Sequence, residues 1–294
     1  MTWGDYDNDS DLDIYIANDS TENFFYQNNG DGKFEEIGFM IGLAVSEDGN
    51  AENGMGTAFG DLNNDGWLDL IVTNYADQTN TLYRNDGDGF FTDITRMSRT
   101  GKISFPYLGW ATFFFDYDND GLQDLYVANG HLHENLSELG QEGTYPQPDL
   151  IFKNNGDGSF TEIADQLGDV YRPTVSRGAA WADYDLDGDV DMIATNSNGR
   201  PKLLRNDGGN ANQWISFNVD GIAIGTRITV QTGDILQTKE IGNQSGYLSQ
   251  SEKRLHFGLG STKQVDLITV RYPNGKMQQL SQVKTNQILQ VWGN

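Results

Sequence analysis

An acidic nine-residue pattern occurs four times in this 294-residue chain and constrains its fold more than any other feature. The clearest copy reads Asp-Tyr-Asp-Leu-Asp-Gly-Asp-Val-Asp from Asp183, and the other copies begin at Asp5, Asp61 and Asp116. Each copy has oxygen-bearing side chains at positions 1, 3, 5 and 9. Because three or four carboxylates within nine residues repel one another strongly, the pattern predicts a cation within each loop.

The oxygen set of each loop is typical of calcium, which takes six to eight oxygen ligands at about 2.3–2.6 Å. The backbone carbonyl of position 7 can complete each set, and glycine at position 6 permits the sharp turn, with Ser10 replacing it in the first copy. An EF-hand needs a Glu at position 12, where this chain has Val72 or Val127. We therefore predict about four Ca²⁺ ions, one per loop, against the alternative of plain solvated turns. The predicted ligands are Asp5, Asp7, Asp9, Asp11, Asp13, Asp61, Asn63, Asp65, Trp67, Asp69, Asp116, Asp118, Asp120, Leu122, Asp124, Asp183, Asp185, Asp187, Asp189 and Asp191.

The acidic loops belong to a repeating unit of about 55 residues, since their starts are separated by 56, 55 and 67 residues. A strand of small residues precedes each loop and an alternating strand follows it. A third aromatic strand then leads into an Asn-Gly or Asp-Gly turn, which is a strong hairpin signal. Four short strands per repeat predict the blades of a β-propeller, at least four in number. The first repeat contains only the tail of its first strand, which predicts an open edge.

The charge of the chain is divided between two parts. Residues 211–294 carry eight Lys and Arg against five Asp and Glu, whereas the first 210 residues carry 11 basic and 38 acidic residues. The second part has alternating apolar strands and no acidic loops, which is typical of a small β-sandwich. We therefore predict an all-β protein with calcium-loop propeller repeats over residues 1–209 and a β-sandwich domain over residues 210–294.

The motifs of both parts resemble known families. The acidic repeats are similar to FG-GAP/VCBS repeats, and four segments of the second part resemble the ASPIC/UnbV domain. Those segments are Ile-Gly-Thr-Arg-Ile from Ile224, Gly-Tyr-Leu-Ser-Gln from Gly246, Leu-His-Phe-Gly-Leu-Gly from Leu255 and Val-Arg-Tyr-Pro-Asn-Gly from Val270. The resemblance implies an extracellular or cell-surface location, calcium binding and an interaction role without a defined reaction, as in cartilage acidic proteins. Such relatives commonly have more repeats, enough for seven blades.

Composition and motifs exclude several other classes of function. The net charge of −24 argues against nucleic acid, the absence of Cys rules out thiolate chemistry, and no apolar run has membrane-spanning length. No nucleophile elbow, phosphate-binding loop or zinc-protease helix is present. A transition-metal site at His131, His133 and Glu134 is an alternative to an ordinary loop there, and His256 is expected to be structural.

Three functions remain open at the level of sequence. The first is a non-enzymatic interaction protein stabilised by calcium, whose protein partners include other copies of itself in a head-to-tail filament. The second is a glycan-binding module, indicated by aromatic residues near loops: Trp67, Tyr75, Tyr107, Trp110 and Tyr145. The third is a carbohydrate-active enzyme that uses a carboxylate pair.

Overall fold

Each acidic loop connects the first two strands of a small antiparallel sheet, and four such sheets follow one another along the chain. The structure, a computed structural model, describes residues 1–221, 223–242 and 245–293. Blade 1 comprises β1 (Thr2–Gly4), β2 (Asp13–Ile16), β3 (Phe24–Asn28) and β4 (Phe34–Glu36). Blade 2 comprises β5 (Gly54–Gly60), β6 (Asp69–Asn74), β7 (Thr81–Asn85) and β8 (Phe91–Asp93). Blade 3 comprises β9 (Gly109–Phe115), β10 (Asp124–Asn129), β11 (Leu150–Asn154) and β12 (Phe160–Glu162). Blade 4 comprises β13 (Ser176–Ala182), β14 (Asp191–Asn196) and β15 (Lys202–Leu204).

The blades pack face to face because side chains alternate between the two faces of each strand. In blade 2, one row faces blade 1 and the other faces blade 3. The row toward blade 1 is Phe59, Leu70 and Tyr83, which pair across the sheet and join Tyr15 and Phe25 in one buried cluster. The row toward blade 3 is Ala58, Ile71 and Leu82, which pack on Phe114, Leu125 and Phe152. Blades 3 and 4 meet in the same manner, and the repeat therefore builds three equivalent interfaces.

The first strands lie where the blades converge, which explains their small residues. A Cβ atom added to Gly56 on β5 would lie 1.9 Å from the carbonyl oxygen of Trp110 on β9. A larger residue at that position would force the two blades apart. The prediction that small residues mark the crowded inner strands is confirmed.

The connections between the strands also follow the prediction. The turn glycines Gly30 and Gly156 have φ of 70° and 74°, a region that favours glycine. Residues 130–149 form a loop without helix or strand, apart from a single bridge between Gln147 and Thr174. A short helix, α1 (Thr100–Ser104), was not predicted, and no helix in the described part is long and apolar enough to cross a membrane.

The C-terminal part is the predicted sandwich, with an additional hairpin. Its core lies between a three-stranded and a four-stranded sheet and includes Phe217, Val230, Phe257 and Ile268. The smaller sheet contains β16 (Trp214–Gly221), β21 (Leu255–Gly258) and β24 (Gln287–Gly293), and β16 runs parallel to β24. The larger sheet contains β17 (Arg227–Thr232), β18 (Ile235–Glu240), β22 (Gln264–Arg271) and β23 (Met277–Lys284).

The hairpin connects the sandwich to the blades. It consists of β19 (Ser245–Gly246) and β20 (Ser249–Gln250), which lie against the inner strands of the blades. The Tyr247 ring packs edge-on against Trp110, and the Ser249 hydroxyl accepts the Ala179 N–H at 3.2 Å. The sequence did not reveal this hairpin or strand β23, because neither has a strong apolar alternation.

Candidate metal centres

The four acidic loops share one backbone conformation. Positions 4 and 6 of every loop have a positive φ, which turns the chain sharply around a central space. The position-4 residues are Asn8, Asn64, Asn119 and Leu186, with φ between 54° and 64°. The position-6 residues are Ser10, Gly66, Gly121 and Gly188, with φ between 84° and 97°. Ser10 thus adopts the same turn as the glycines, so the first loop keeps the shape of the others.

This turn gathers the side chains of positions 1, 3 and 9. Their carboxylate oxygens lie within 4.8 Å of one another in loops 1, 3 and 4. Loop 2 has Asn63 at position 3, so it offers one carboxylate fewer there. The three groups are Asp5 with Asp7 and Asp13, Asp116 with Asp118 and Asp124, and Asp183 with Asp185 and Asp191.

The position-1 carboxylates are oriented by the loop backbone. In loop 1, Asp5 Oδ2 accepts the Ser10 N–H at 3.0 Å, while Asp5 Oδ1 is buried and has no hydrogen-bond partner. Asp118 Oδ1, Asp183 Oδ2 and Asp189 Oδ1 are also buried without a partner. Buried polar atoms are rarely left unsatisfied in proteins, so these oxygens fit a cation ligand role. Carboxylate oxygens are hard ligands of the kind that calcium prefers.

The position-9 carboxylates have a structural role that the sequence did not reveal. Asp13 accepts the Tyr6 N–H at 3.1 Å on Oδ2 and the Asn28 N–H at 2.9 Å on Oδ1. The other three loops repeat both bonds with Asp69, Asp124 and Asp191. Each position-9 residue therefore fastens the start of its loop to the end of the third strand.

Position 5 supports the loop from within. Its side chain accepts the backbone N–H of position 7, at 2.9 Å between Asp65 and Trp67 and at 2.9 Å between Asp120 and Leu122. The same bond joins Asp9 to Asp11 and Asp187 to Asp189. Ion binding by the predicted ligands at positions 5 and 7 stays a prediction, as it does for the ligands at positions 1, 3 and 9.

Burial penalises the charge of these carboxylates. Desolvation raises the pKa of Asp13 to about 8 and the pKa values of Asp61 and Asp116 to about 7. A divalent cation within the loop would stabilise the ionised carboxylates and reverse this shift. Burial thus opposes ionisation of Asp13, Asp61 and Asp116, and a cation among the carboxylates would favour it.

Basic side chains already lie beside several loops. In loop 3, the Lys153 ammonium bonds to Asp118 and lies 3.2 Å from Asp120 Oδ2. In loop 1, Arg271 of the sandwich donates to Asp5 Oδ2 at 2.5 Å, and Arg227 Nη1 lies 3.6 Å from the same oxygen. The charge of the half-buried Lys239 also lowers the pKa of Asp116, against the larger effect of burial. The positive charge of the sandwich is therefore directed at the acidic loops.

In blades 2, 3 and 4, an Asn at or just after the end of the third strand bonds to the preceding blade. Asn154 Nδ2 donates to the carbonyl of Leu62 in the preceding loop at 2.8 Å, and Asn154 Oδ1 accepts the Gly156 N–H at 2.9 Å. Asn85 and Asn206 make the equivalent bonds to the carbonyls of Tyr6 and Tyr117. These residues were predicted only as parts of hairpin turns. Their recurrence at one repeat position was the available signal of a second role.

His131 and His256 differ in their relation to these centres, since only His256 contacts an acidic loop. His131 is buried against Tyr75, and within the described ranges only aspartates form groups of three or more metal-ligating side chains. His256 is buried between the two parts of the molecule. Its Nδ1 lies 2.8 Å from Ser216 Oγ and its Nε2 lies 2.6 Å from Asn119 Oδ1. Burial lowers the pKa of His256 to about 3, so the ring is neutral and structural.

Two protein families match different parts of the chain. Residues 5–72 and 61–127 match the FG-GAP-like repeat family, and residues 219–292 match the ASPIC and UnbV family. Cartilage acidic protein 1 of Xenopus tropicalis is 27% identical over 300 residues, covering 97% of this chain and 43% of that protein. Human cartilage acidic protein 1 is 26% identical over 294 residues, covering 95% of this chain and 42% of that protein. The chain thus spans less than half the length of these relatives.

Among solved structures, the chain is similar to an Agrocybe aegerita lectin that recognises non-reducing terminal N-acetylglucosamine. The identity is 21%, the match covers 70% of this chain and 51% of the lectin, and the TM-score is 0.39. The family matches and the cartilage relatives together show that the chain contains FG-GAP-like repeats followed by an ASPIC and UnbV domain, and that it is homologous to cartilage acidic protein 1 over most of its length.

Proposed function

We propose that this chain is a non-enzymatic, extracellular interaction protein whose blades are stabilised by about four calcium ions, one in each acidic loop. The observation that carries the proposal is the gathering of three carboxylates within 4.8 Å in three loops, with buried oxygens that lack partners. Sites of this kind suit the millimolar calcium outside cells. The name of the homologous cartilage protein agrees with that location.

Calcium titration of the metal-free protein tests the proposal. Isothermal titration calorimetry is expected to give about four sites, with magnesium binding more weakly because it requires near-octahedral geometry. Asp187→Ala should reduce the number of calcium ions bound by one. Asn63→Ala should weaken calcium binding less, because loop 2 already lacks a carboxylate at that position. Heat equal to that of a buffer blank would refute calcium binding.

A division into two domains, residues 1–209 and 210–294, is part of the proposal. The family matches end and begin on either side of this boundary. The charge distribution and the separate sandwich core also support it. Limited proteolysis of the calcium-loaded protein should cut first near residues 205–213 if the two domains are independent units.

Head-to-tail self-association is a second, finer proposal, supported by the exposed outward flanks of blades 1 and 4 in the described part of the chain. Blade 4 exposes the row Ala180, Ile193 and Leu203, which is equivalent to the blade 2 row that packs on blade 3. Blade 1 exposes Trp3 on a row that it shares with Ile14 and Tyr26, equivalent to the blade 2 row that faces blade 1. The two free rows thus have the chemistry of the three buried interfaces. Because the contact is heterologous, it propagates into filaments unless it closes a ring.

Sedimentation of the native protein in calcium tests self-association. Ile193→Asp should abolish it by placing a charge on the flank of blade 4. A particle of 32.7 kDa at micromolar concentration, both with and without calcium, would refute it.

A glycan-binding role is the alternative, and the structure corrects one of its premises. Trp110 is only 8% exposed, its indole N–H donates to the Gly130 carbonyl at 2.7 Å, and Arg177 stacks 4.1 Å above its ring. The ring is therefore not available to a sugar, because it supports the inner end of blade 3. The other four aromatic residues are half-buried. A glycan array tests this role. Glycan binding that is unchanged by Trp67→Ala would show that Trp67 is not part of the binding surface.

A further inference from the structure

Blade 4 differs from the other blades in having no fourth strand. In blade 3, the third strand bonds outward to the fourth, with the Asn155 N–H donating to Ser159 O at 3.0 Å and the Ile163 N–H donating to Ile151 O at 2.9 Å. Blades 1 and 2 make the same two bonds. Within the described ranges, nothing pairs with the outer edge of β15. An open edge of this kind can bind an extended peptide through its backbone.

A cleft lies beside this edge, between blades 3 and 4, with both apolar and polar side chains in its walls. Its volume is about 320 Å³, and its walls include Tyr117, Ile151, Val170, Met192 and Leu204. It reaches from the core between the two blades to the outer end of β15. The walls are ordered by the surrounding sheets, so the space is part of the fold.

The other blades show what occupies the corresponding place. The first residue of the fourth strand is a Phe that packs on the residue after the first Asp of the preceding loop. Phe91 stacks on Tyr6 with ring centroids 6.2 Å apart, and Phe160, only 2% exposed, shares a core cluster with Leu62. The equivalent of Tyr6 and Leu62 for blade 4 is Tyr117, which lines the cleft. The cleft is therefore shaped for one aromatic side chain.

The next residue of the fourth strand also has a counterpart. Thr92 donates its hydroxyl to Asp86 at 2.5 Å, and Thr161 donates to Asn155 at 3.1 Å. Asp207 holds the equivalent position in blade 4 and is exposed, with Arg205 at 2.7 Å. The same Arg–Asp pair, also at 2.7 Å, lies beside Thr92 in blade 2. An acceptor for a threonine hydroxyl is thus already in place.

We propose that blade 4 binds an extended segment of a partner protein that carries an aromatic residue followed by threonine. The segment adds a fourth strand to β15, its aromatic ring fills the cleft against Tyr117, and its threonine donates to Asp207. The chain's own Phe-Thr segments are each paired within their own blades, so neither of them occupies this site. This inference deepens the proposed interaction function but does not depend on calcium binding.

A labelled synthetic peptide tests the site. The probe is Gly-Asp-Gly-Ser-Phe-Thr-Glu-Ile, the sequence of residues 156–163, and its binding to the full chain in calcium is followed by fluorescence anisotropy. Replacing its Phe by Ser should weaken binding at least about tenfold, because the cleft would stay unfilled. In the protein, Arg205→Pro removes an outward N–H that edge strands can lose without unfolding, and it should weaken binding similarly. Met277→Ser, at an exposed position of the sandwich strand β23, is the control and should leave binding unchanged.

Photocrosslinking provides a readout that does not depend on the folding of any variant. A benzoylphenylalanine at the Phe position of the peptide should crosslink to Tyr117, Met192 or Leu204. Equal binding of the Phe and Ser peptides, crosslinks outside the cleft, or no binding would overturn the proposal. Self-association that Arg205→Pro abolishes would assign the edge to a second copy and would also overturn it. Peptide binding that persists in a protein that fails to bind calcium would refute the proposed calcium role alone.

Discussion

At the scale of single residues, the strongest constraint is backbone conformation in the turns. Gly156 has φ of 74°, and a Cβ added there would lie 3.2 Å from the Leu122 side chain. Gly208 occupies the equivalent position in blade 4, but its φ is −141° and no atom lies within 4 Å of an added Cβ. The same position of the repeat thus requires glycine only where a hairpin follows.

These two glycines allow a matched prediction. Gly156→Val should lower the free energy of unfolding by more than about 1 kcal/mol, because a β-branched residue cannot adopt a positive φ without strain. Gly208→Val should change it by less than about 0.5 kcal/mol. Urea unfolding of both variants provides the measurement, and equal effects would show that the turn assignment is wrong.

Lys153 places a positive charge directly beside the carboxylates of loop 3. Its ammonium contacts two carboxylates of loop 3, where repeat 1 has Gln27 donating to Asp7 at 2.8 Å. A cation entering loop 3 must therefore displace or repel a positive charge.

Lys153→Gln should accordingly raise the calcium affinity of one site by about tenfold, which corresponds to about 1.4 kcal/mol. Calcium titrations of the variant and the parent protein measure the change. Arg84→Gln is the control, because that side chain pairs with Asp86 outside the loop and should leave all affinities unaltered. A weaker site in the Lys153 variant would contradict the expected repulsion.

At the scale of strands and loops, the repeating elements could be predicted from the sequence, whereas the hydrogen bonds between neighbouring blades could not. The strands, the hairpin turns and the acidic positions were predictable because their periods and residue types are local signals. The blade-to-blade bonds of Asn85 and Asn154 were not, since they join residues 79 and 92 positions apart. The contact of Arg271 with Asp5 spans 266 positions and has no local signal at all.

The Asn bridges lead to a prediction at this scale. Asn154→Ala should destabilise the protein by about 1–3 kcal/mol, because it leaves buried carbonyls of Leu62 and Gln123 without their donor. Asn28→Ala should lower the stability less, since the Asn28 side-chain amide donates to the Leu12 carbonyl of its own repeat, at 3.4 Å, and not to a neighbouring blade. Thermal unfolding of both variants in calcium measures the difference. Equal losses would show that the bridges between blades contribute little.

At the scale of the whole molecule, an acidic array of blades is held against a basic sandwich. Without a cation, burial disfavours the ionised carboxylates of this array and raises the pKa values of Asp13, Asp61 and Asp116. A carboxyl whose folded-state pKa exceeds its unfolded value stabilises the fold at low pH and loses that contribution as pH rises through the folded-state pKa. Calcium bound as proposed would keep these carboxylates ionised and paired, so the loss would disappear.

The metal-free protein should therefore become less stable between pH 5 and pH 8, whereas the calcium-loaded protein should not. Melting temperatures measured over this range with EDTA and with calcium test the difference. A metal-free protein whose stability is flat or rises between pH 5 and pH 8 would show that the loops carry no such strain.

The most direct test of the central claim is the melting temperature of the protein with and without calcium, measured by differential scanning calorimetry at pH 7.4. Free calcium at ten times the dissociation constant stabilises by about 1.4 kcal/mol per site. Since 1 kcal/mol corresponds to about 2–4 °C for a domain of this size, four sites predict a rise on the order of 10 °C or more. An unchanged melting temperature after EDTA treatment, with metal content confirmed by mass spectrometry, would contradict the account.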